Sequence, residues 1–298
     1  MSPAAQAARR SHLLAVLGLV FNAFTWGVSW WPFRQLAEQG LHPLWLTTLI
    51  YAVAVALLVI SRPQAVAELF RTPVLWVLFV AAGGTNACFN WAVSIGDVVR
   101  VVLLFYLMPL WAVLLARLLL GERISARGGV RVLMALAGAA VVLWPANGQG
   151  LPLPRSLADG LALVGGFTFA LNNVMLRREA RRSEAARSLA MFGGGAVVSM
   201  LLAASLTRAG LASAVPALAW SWVLPALGLA AWFLGSNLTL QFGAARLPAN
   251  TTSVVMLTEV FFASASALAL GAGTLGLRES LGAVMILGAA VLAAVQRD

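Results

Sequence analysis

Apolar residues fall along this chain in uninterrupted blocks of about 20, and charged residues collect between the blocks, not within them. An α-helix rising 1.5 Å per residue needs a block of about that length to cross the hydrocarbon core of a bilayer. Ten such blocks can be marked, at roughly 13–33, 44–61, 74–95, 98–119, 130–146, 158–176, 188–207, 220–241, 249–271 and 280–296. Turn formers punctuate them: Gly40 to Pro43, Arg62-Pro63, Thr72-Pro73 and Asn147 to Pro154. The stretch 209–245 carries no charge, but Pro216 and Pro225 interrupt it, so one helix beginning near Trp220 is predicted there. The first block is too long for the apolar core of a cleaved signal peptide and reads as a span. The pattern predicts an all-α integral membrane fold with ten transmembrane helices.

Composition reinforces the pattern. Hydrophobic residues make up 61% and charged residues 10% of the 298, too little charge to cover a soluble surface. The net charge of +10 comes from 20 basic residues, all arginine. They form no continuous basic face, which argues against a nucleic-acid partner. They do test orientation. With the N-terminus in the cytoplasm, 15 arginines fall inside, among them Arg62, Arg71, Arg117 and the cluster Arg177 to Arg187. Arg34, Arg100, Arg155, Arg208 and Arg278 fall outside. The positive-inside rule then places both termini in the cytoplasm. Cys88 is the single cysteine, so no intrachain disulfide can form, and His12 and His42 have too few partners for a metal site. No cofactor is expected.

The two halves of the chain resemble each other. Phe24-Thr25-Trp26-Gly27 returns as Phe167-Thr168-Phe169-Ala170, offset by 143. Trp76-Val77-Leu78 returns as Trp222-Val223-Leu224, offset by 146, and Gly138-Ala139-Ala140-Val141 as Gly288-Ala289-Ala290-Val291, offset by 150. Five spans per half is an odd number, so the second half must enter from the opposite face, giving two inverted five-helix repeats. The domain plan is a tail at 1–12, a first repeat at 13–146, an external loop at 147–157 and a second repeat at 158–298.

Trp26-Gly27, the run Tyr106-Leu107-Met108-Pro109-Leu110 followed by Leu120-Gly121-Glu122-Arg123, and the Gly282 to Gly288 pattern together resemble the drug/metabolite transporter superfamily, of the EamA-like ten-helix type. Within it the chain looks most like bacterial aromatic amino acid exporters of the YddG type, on the texture of spans 3, 6 and 8. The resemblance implies export of aromatic and other neutral amino acids across a bacterial inner membrane by alternating access. Two departures stand out. Glu122 in the first half corresponds to Ala272 in the second, and Pro109 corresponds to Glu259.

Polar groups inside a membrane need a cavity or a partner. Asn22 (span 1), Asn86 and Asn90 (span 3), Asn172 and Asn173 (span 6) and Asn237 (span 8) gather on repeat-related spans and form the candidate substrate site. Amides can meet both ends of a zwitterion; interhelical hydrogen bonding is the structural alternative. Trp26, Trp91, Trp232 and Tyr106 could stack on an aromatic substrate or face its ammonium group, the alternative for tryptophan being the interfacial belt. Glu259 is the one acidic residue well inside a span. It could couple transport to a proton, contact a substrate ammonium, or sit protonated against a neighbour such as Thr258. Pro32 and Pro109 are expected to kink spans 1 and 4.

Other classes fit less well. No phosphate-binding Gly-x-x-x-x-Gly-Lys loop occurs, and the chain has no lysine to build one. An intramembrane enzyme would need a mid-span histidine or paired carboxylates, and neither is present. A carrier of phosphorylated metabolites would want arginine in its cavity, whereas Arg100 and Arg117 stand near span ends. A multidrug or cationic-metabolite exporter is the nearest competing reading. The expected partners are a small-molecule substrate and membrane lipid, and nothing requires more than a monomer.

Overall fold

The structure is a computed structural model and describes residues 3–121, 126–145, 151–244, 246–247, 252 and 255–295. Glu122, Arg123, Arg297, the Asn147 end of the external loop and the start of the ninth span lie outside these. Among the described residues every regular element is a helix. Seven spans meet the length and apolarity needed to cross a membrane, and the shorter apolar helices Gly128–Leu143 and Thr258–Ala269 occupy two of the remaining blocks. The tenth block is helical from Leu277 to Val295. The outward surface is strongly apolar, with Leu118, Leu133, Phe261 and Val284 each at least two-thirds exposed. Such a surface is suited to lipid.

Three blocks are not single straight helices. The first divides into α1 (Pro3–Val28) and α2 (Trp30–Glu38). Pro32 has no N–H to offer the Val28 carbonyl, so the expected kink falls one turn upstream, at Ser29. Helix α1 also begins at Pro3, so most of the expected tail at 1–12 is helical. After α3 (Pro43–Ser61), the short α4 (Gln64–Arg71) and α5 (Val74–Ile95), the fourth block divides into α6 (Val98–Phe105) and α7 (Met108–Leu120). Here Pro109 withholds an N–H from Phe105, and Tyr106 and Leu107 form the turn between the halves. Next come α8 (Ala126–Leu143), α9 (Leu157–Arg178), α10 (Glu184–Arg208) and α11 (Trp220–Ala244). Pro225 stays inside α11, where it deprives only the first-turn carbonyl of Ser221. The ninth block turns at Leu257 before α12 (Thr258–Ala269), and α13 (Leu277–Val295) ends the chain.

The breaks in the fourth and ninth blocks, at Leu107 and Leu257, are 150 residues apart. So are Gly121 and Gly271, which end α7 and α12 at φ of +71° and +66°, a left-handed conformation that glycine adopts without a Cβ clash. The main cross-half packings also exchange. Helix α5 packs on α9 as α11 packs on α1, and α5 on α10 as α11 on α3. The pair α6–α7 packs on α9 as α12 packs on α1, while α3 with α10 and α8 with α13 pair with their own counterparts. Glycine permits the closest of these approaches. A Cβ on Gly194 of α10 would strike the Phe79 carbonyl of α5, and one on Gly166 of α9 would strike the Phe105 carbonyl that Pro109 leaves without its helical donor.

The two ends of the bundle differ. At one end Arg34 donates to the carbonyls of Val93 and Gly96, and Arg278 to that of Trp144. At the same end Arg100 forms a forked pair with Asp159, at 2.8 and 3.1 Å, and a third bond to the Val142 carbonyl at 2.6 Å. Asp97 caps α6 and accepts from the N–H and hydroxyl of Thr274, at 2.7 and 3.1 Å. Arg100–Asp159 and Asp97–Thr274 each join the first half of the chain to the second. At the opposite end, α4 buries Ala65 and Leu69 and turns Phe70 and Arg71 outward. There Glu68 accepts from the Ser183 N–H at 3.1 Å and the Ser183 hydroxyl at 2.5 Å, bonds that hold its carboxyl below the usual carboxylate range.

Candidate functional site

A cavity of about 400 Å³ lies between the halves. Its walls come from α1, α3, α5, α9, α10 and α11 and from the breaks in the fourth and ninth blocks. These breaks matter because an interrupted helix places backbone ends and short-range turns at mid-membrane depth, where an unbroken helix would offer side chains alone. Tyr106 stands in one break, and Glu259 in the first turn after the other. They meet across the cavity, the Tyr106 hydroxyl donating to Glu259 Oε2 at 3.1 Å. The first turn of α12 also favours a carboxylate through the helix dipole. Thr258, the neighbour considered from sequence, instead donates to the Val255 carbonyl.

Of the eleven residues expected at the site, Asn22, Trp26, Asn86, Tyr106, Asn172, Asn173, Asn237 and Glu259 line this cavity. Asn90, Trp91 and Trp232 do not. Asn90 lies one turn beyond Asn86, where α5 has turned toward α3, and its amide donates to the Thr47 hydroxyl at 3.0 Å. Trp91 packs edge-on against His42 near the end of the bundle. Trp232 donates to the Thr25 hydroxyl at 2.8 Å and stacks on Phe24 at the outer, lipid-side surface, 36% exposed. Each is spaced correctly along its helix but points to another face.

The remaining amides are held in different ways. Asn22 is fully buried and spends its amino group on α11, donating to the Ser236 carbonyl at 3.0 Å and the Ser236 hydroxyl at 2.7 Å. Asn86 accepts from the Tyr51 hydroxyl at 2.5 Å and donates to the Ala82 carbonyl at 2.8 Å. Asn237 donates to the Phe233 carbonyl, and Asn172 to the Asn173 side-chain oxygen at 3.3 Å. Aromatic rings fill the spaces between amides. Trp26 meets Phe89 and Phe233 edge-on, and Phe105 lies against Phe89 and Phe169.

Sequence reasoning missed Tyr51, Thr85 and Phe192 as wall residues. Tyr51 is one of only two tyrosines in the chain, and its place in an otherwise apolar span was a usable signal. Nothing in the sequence marked Phe192. Phe192 and Asn237 also line a second hollow, of about 560 Å³, bounded by Ser61, Arg62 and Glu184. The cavity thus adjoins open space at the Arg62 end, while Arg100 and Asp159 tie the other end together. No charged residue besides Glu259 is among the described cavity walls, so Arg100 is engaged elsewhere.

Comparison with known proteins bears on this geometry. Residues 13–144 match the EamA-like transporter family, so the first five-helix half is EamA-like in sequence. Protein RarD of Salmonella typhi and Protein RarD of Salmonella typhimurium are each 29% identical over 181 residues, 58% of this chain. The match spans 57% of the length of those relatives. A solved crystal structure superposes over 94% of this chain and 96% of its own, with a TM-score of 0.53 at 19% identity, a likeness of fold. The fold is therefore that of a multi-pass, all-helical membrane protein.

Proposed function

Proceeding from the EamA-like match of residues 13–144, we propose that the whole chain is a secondary transporter of that family, working by alternating access between two inverted five-helix repeats. The observation that carries this reading is one cavity at the seam of the halves, open toward one end and tied shut at the other. The exchange of packing partners and the 150-residue spacing of helix breaks and left-handed glycines support the repeat. Alternating access then requires the Arg100–Asp159 and Asp97–Thr274 contacts to part while contacts such as Glu68–Ser183 close or persist.

The substrates we assign are aromatic and other neutral amino acids, as the YddG-type resemblance suggests. A volume of about 400 Å³ with aromatic walls suits a single residue-sized molecule. The arginine asymmetry supports assigning the Arg62 end, with both termini, to the cytoplasmic side. The cavity is then loaded from within, as export demands. A single carboxylate among aromatic rings also favours a second reading, efflux of organic cations. Purified protein in liposomes, offered labelled amino acids with and without a proton gradient, tests the choice. Uptake of phenylalanine or tryptophan supports the first reading; uptake of lipophilic cations alone, with no amino acid carried, replaces it with the second.

A further inference from the structure

The hollow at the Arg62 end has a counterpart at the Arg100 end, and the two are in opposite states. The hollow lies between the second half of α3, the first half of α10 and the second half of α11, with Leu57, Ser61, Ser188, Phe192, Asn237 and Leu238 among its walls. His42 and Ser183, the N-caps of α3 and α10, are 141 residues apart, so Ser188 corresponds to Thr47 and Phe192 to Tyr51. The 146-residue offset of the Trp-Val-Leu runs carries 234–238 of α11 onto 88–92 of α5. The counterpart therefore lies between the first half of α3, the second half of α5 and the second half of α10. This junction is filled. Leu44, Ala87 and Ala203 form one buried cluster, flanked by Trp91 and Leu206. The Asn90 amide donates to the Thr47 hydroxyl across it, at 3.0 Å. The contrast runs along α3 and α11 as well. Toward the Arg100 end Leu46, Ile50, Trp222 and Leu229 share one buried cluster, but beyond Ala54 α3 buries no residue, and Leu57 and Leu238 are 49% and 58% exposed.

Two polar groups are stranded in the filled junction. Asn90 Oδ1 and the Ser199 hydroxyl are buried without a hydrogen-bond partner, on residues 1% and 0% exposed. Leaving such groups unpaired costs free energy, and a junction that never opened would gain nothing from them. We infer that this junction is the exit vestibule of the transport path, sealed here, and that substrate leaves through it when α3 and α10 part from α5. The inference rests on the reading of the molecule as an alternating-access carrier. Helices α3 and α10 are each other's counterparts and pack together, with the Tyr51 and Phe192 rings 6.0 Å apart, so they tilt as one body. Tilted toward α5 they open the hollow; tilted toward α11 they open the junction. Apolar surface uncovered at Leu44, Ala87 and Ala203 is then offset by surface covered at Leu57, Leu58 and Leu238, which keeps the two states close in free energy. The Asn90–Thr47 bond is the latch of the sealed state. Opened, the vestibule offers Asn90, Thr47 and Ser199, an amide and two hydroxyls that hydrogen-bond both ends of a neutral amino acid without an opposing charge to retain it.

The test is reciprocal labelling in nanodiscs, where a membrane-impermeant maleimide reaches both faces. Cys88 is replaced by Ala, and single cysteines are placed at Ser188 in the hollow or at Ala203 in the junction. The parent is expected to label readily at Ser188→Cys and scarcely at Ala203→Cys. Thr47→Val removes the acceptor of Asn90 and is expected to raise Ala203→Cys labelling roughly two- to tenfold. Ala203→Trp places an indole that the sealed junction has no room for, and is expected to slow Ser188→Cys labelling at least roughly tenfold, with melting temperature as the control for folding. Loosening of the junction alone would not protect a residue at the opposite end. A folded Ala203→Trp protein that labels at Ser188→Cys at the parent rate overturns the inference. Should that variant not fold, unchanged Ala203→Cys labelling in Thr47→Val overturns it by itself. Proteoliposome counterflow of phenylalanine and of a lipophilic cation by the Cys88→Ala protein keeps the two readings apart. Transport of either compound without reciprocal labelling leaves the carrier reading standing and removes this exit, whereas transport of neither removes the carrier reading and the exit with it.

Discussion

Replacing Asp159 by Asn removes one charge from the pair that ties the two halves together at the Arg100 end. Arg100 and Asp159 meet by parallel bonds of 2.8 and 3.1 Å, with side chains 25% and 4% exposed. Two unit charges about 4 Å apart attract by about 4 kcal/mol at an effective dielectric near 20. The exposed part of Arg100 is screened by water and salt, and desolvation of Asp159 offsets part of the rest, leaving about 1–3 kcal/mol in favour of the closed end. Asparagine keeps an acceptor for one bond but not the charge. The population open at this end should therefore rise roughly 5- to 150-fold in Asp159→Asn. The buried Cys88 is first replaced by Ala, and a reporter cysteine is placed at Val101, which is 1% exposed and borders the same hollow as the pair. Labelling by a membrane-impermeant maleimide then reads the opening. Faster labelling in Asp159→Asn, reversed by the swap Arg100→Asp with Asp159→Arg, is the expected result. Equal labelling in parent and variant, with both folded, would refute the role given to the pair.

Three further outcomes are expected. Glu259→Gln should remove the pH dependence of transport while the protein stays folded; normal rate and unchanged pH dependence would exclude a coupling role for this carboxylate. Gly166→Ala puts a methyl group against the Phe105 carbonyl, so a loss of about 1–3 kcal/mol is expected, read as a lower melting temperature in detergent; Gly160→Ala, whose Cβ meets nothing within 4 Å, should leave it unchanged. His42 accepts the Leu44 N–H at the start of α3, and burial holds its pKa below the ordinary 6.5. Because the unfolded chain protonates first, stability should be constant above about pH 6.5 and fall below it until His42 itself titrates; His42→Asn, which keeps a capping acceptor, should flatten that profile.

Much of the architecture was legible in the sequence because lipid imposes a simple rule. A chain that cannot bond its backbone to solvent must form helices of near-fixed length, and such helices announce themselves as long apolar blocks. Val74–Ile95 was marked to the residue, and each of the ten blocks is mostly helical over its described residues. What the blocks hid were the interruptions. Pro32 and Pro109 signalled two of them, but no proline marks the turn at Leu257 among the described residues, and the eight-residue α4 was too short to register.

The site was legible as a set of residue types and not as an arrangement. A lone asparagine in an apolar run says that a partner exists; it does not say whether the partner is a ligand or another helix. Asn86 and Asn90 are one turn apart, yet one faces the cavity and the other is consumed by Thr47. Trp26 and Trp232 sit on spans related by packing, yet one lines the cavity and the other faces outward. The sequence by itself determined that this protein lies in a membrane, how many times its helices approach the length of the bilayer, and which few polar residues had to be accounted for. Only the tertiary structure decided which of those residues converge, because rotation about each helix axis is set by packing against neighbours, through contacts such as Gly166 on Phe105 and Gly194 on Phe79. It also decided which polar atoms are committed to protein partners, since hydrogen bonding depends on the residue that packing brings opposite, 214 residues away for Asn22 and 153 for Tyr106.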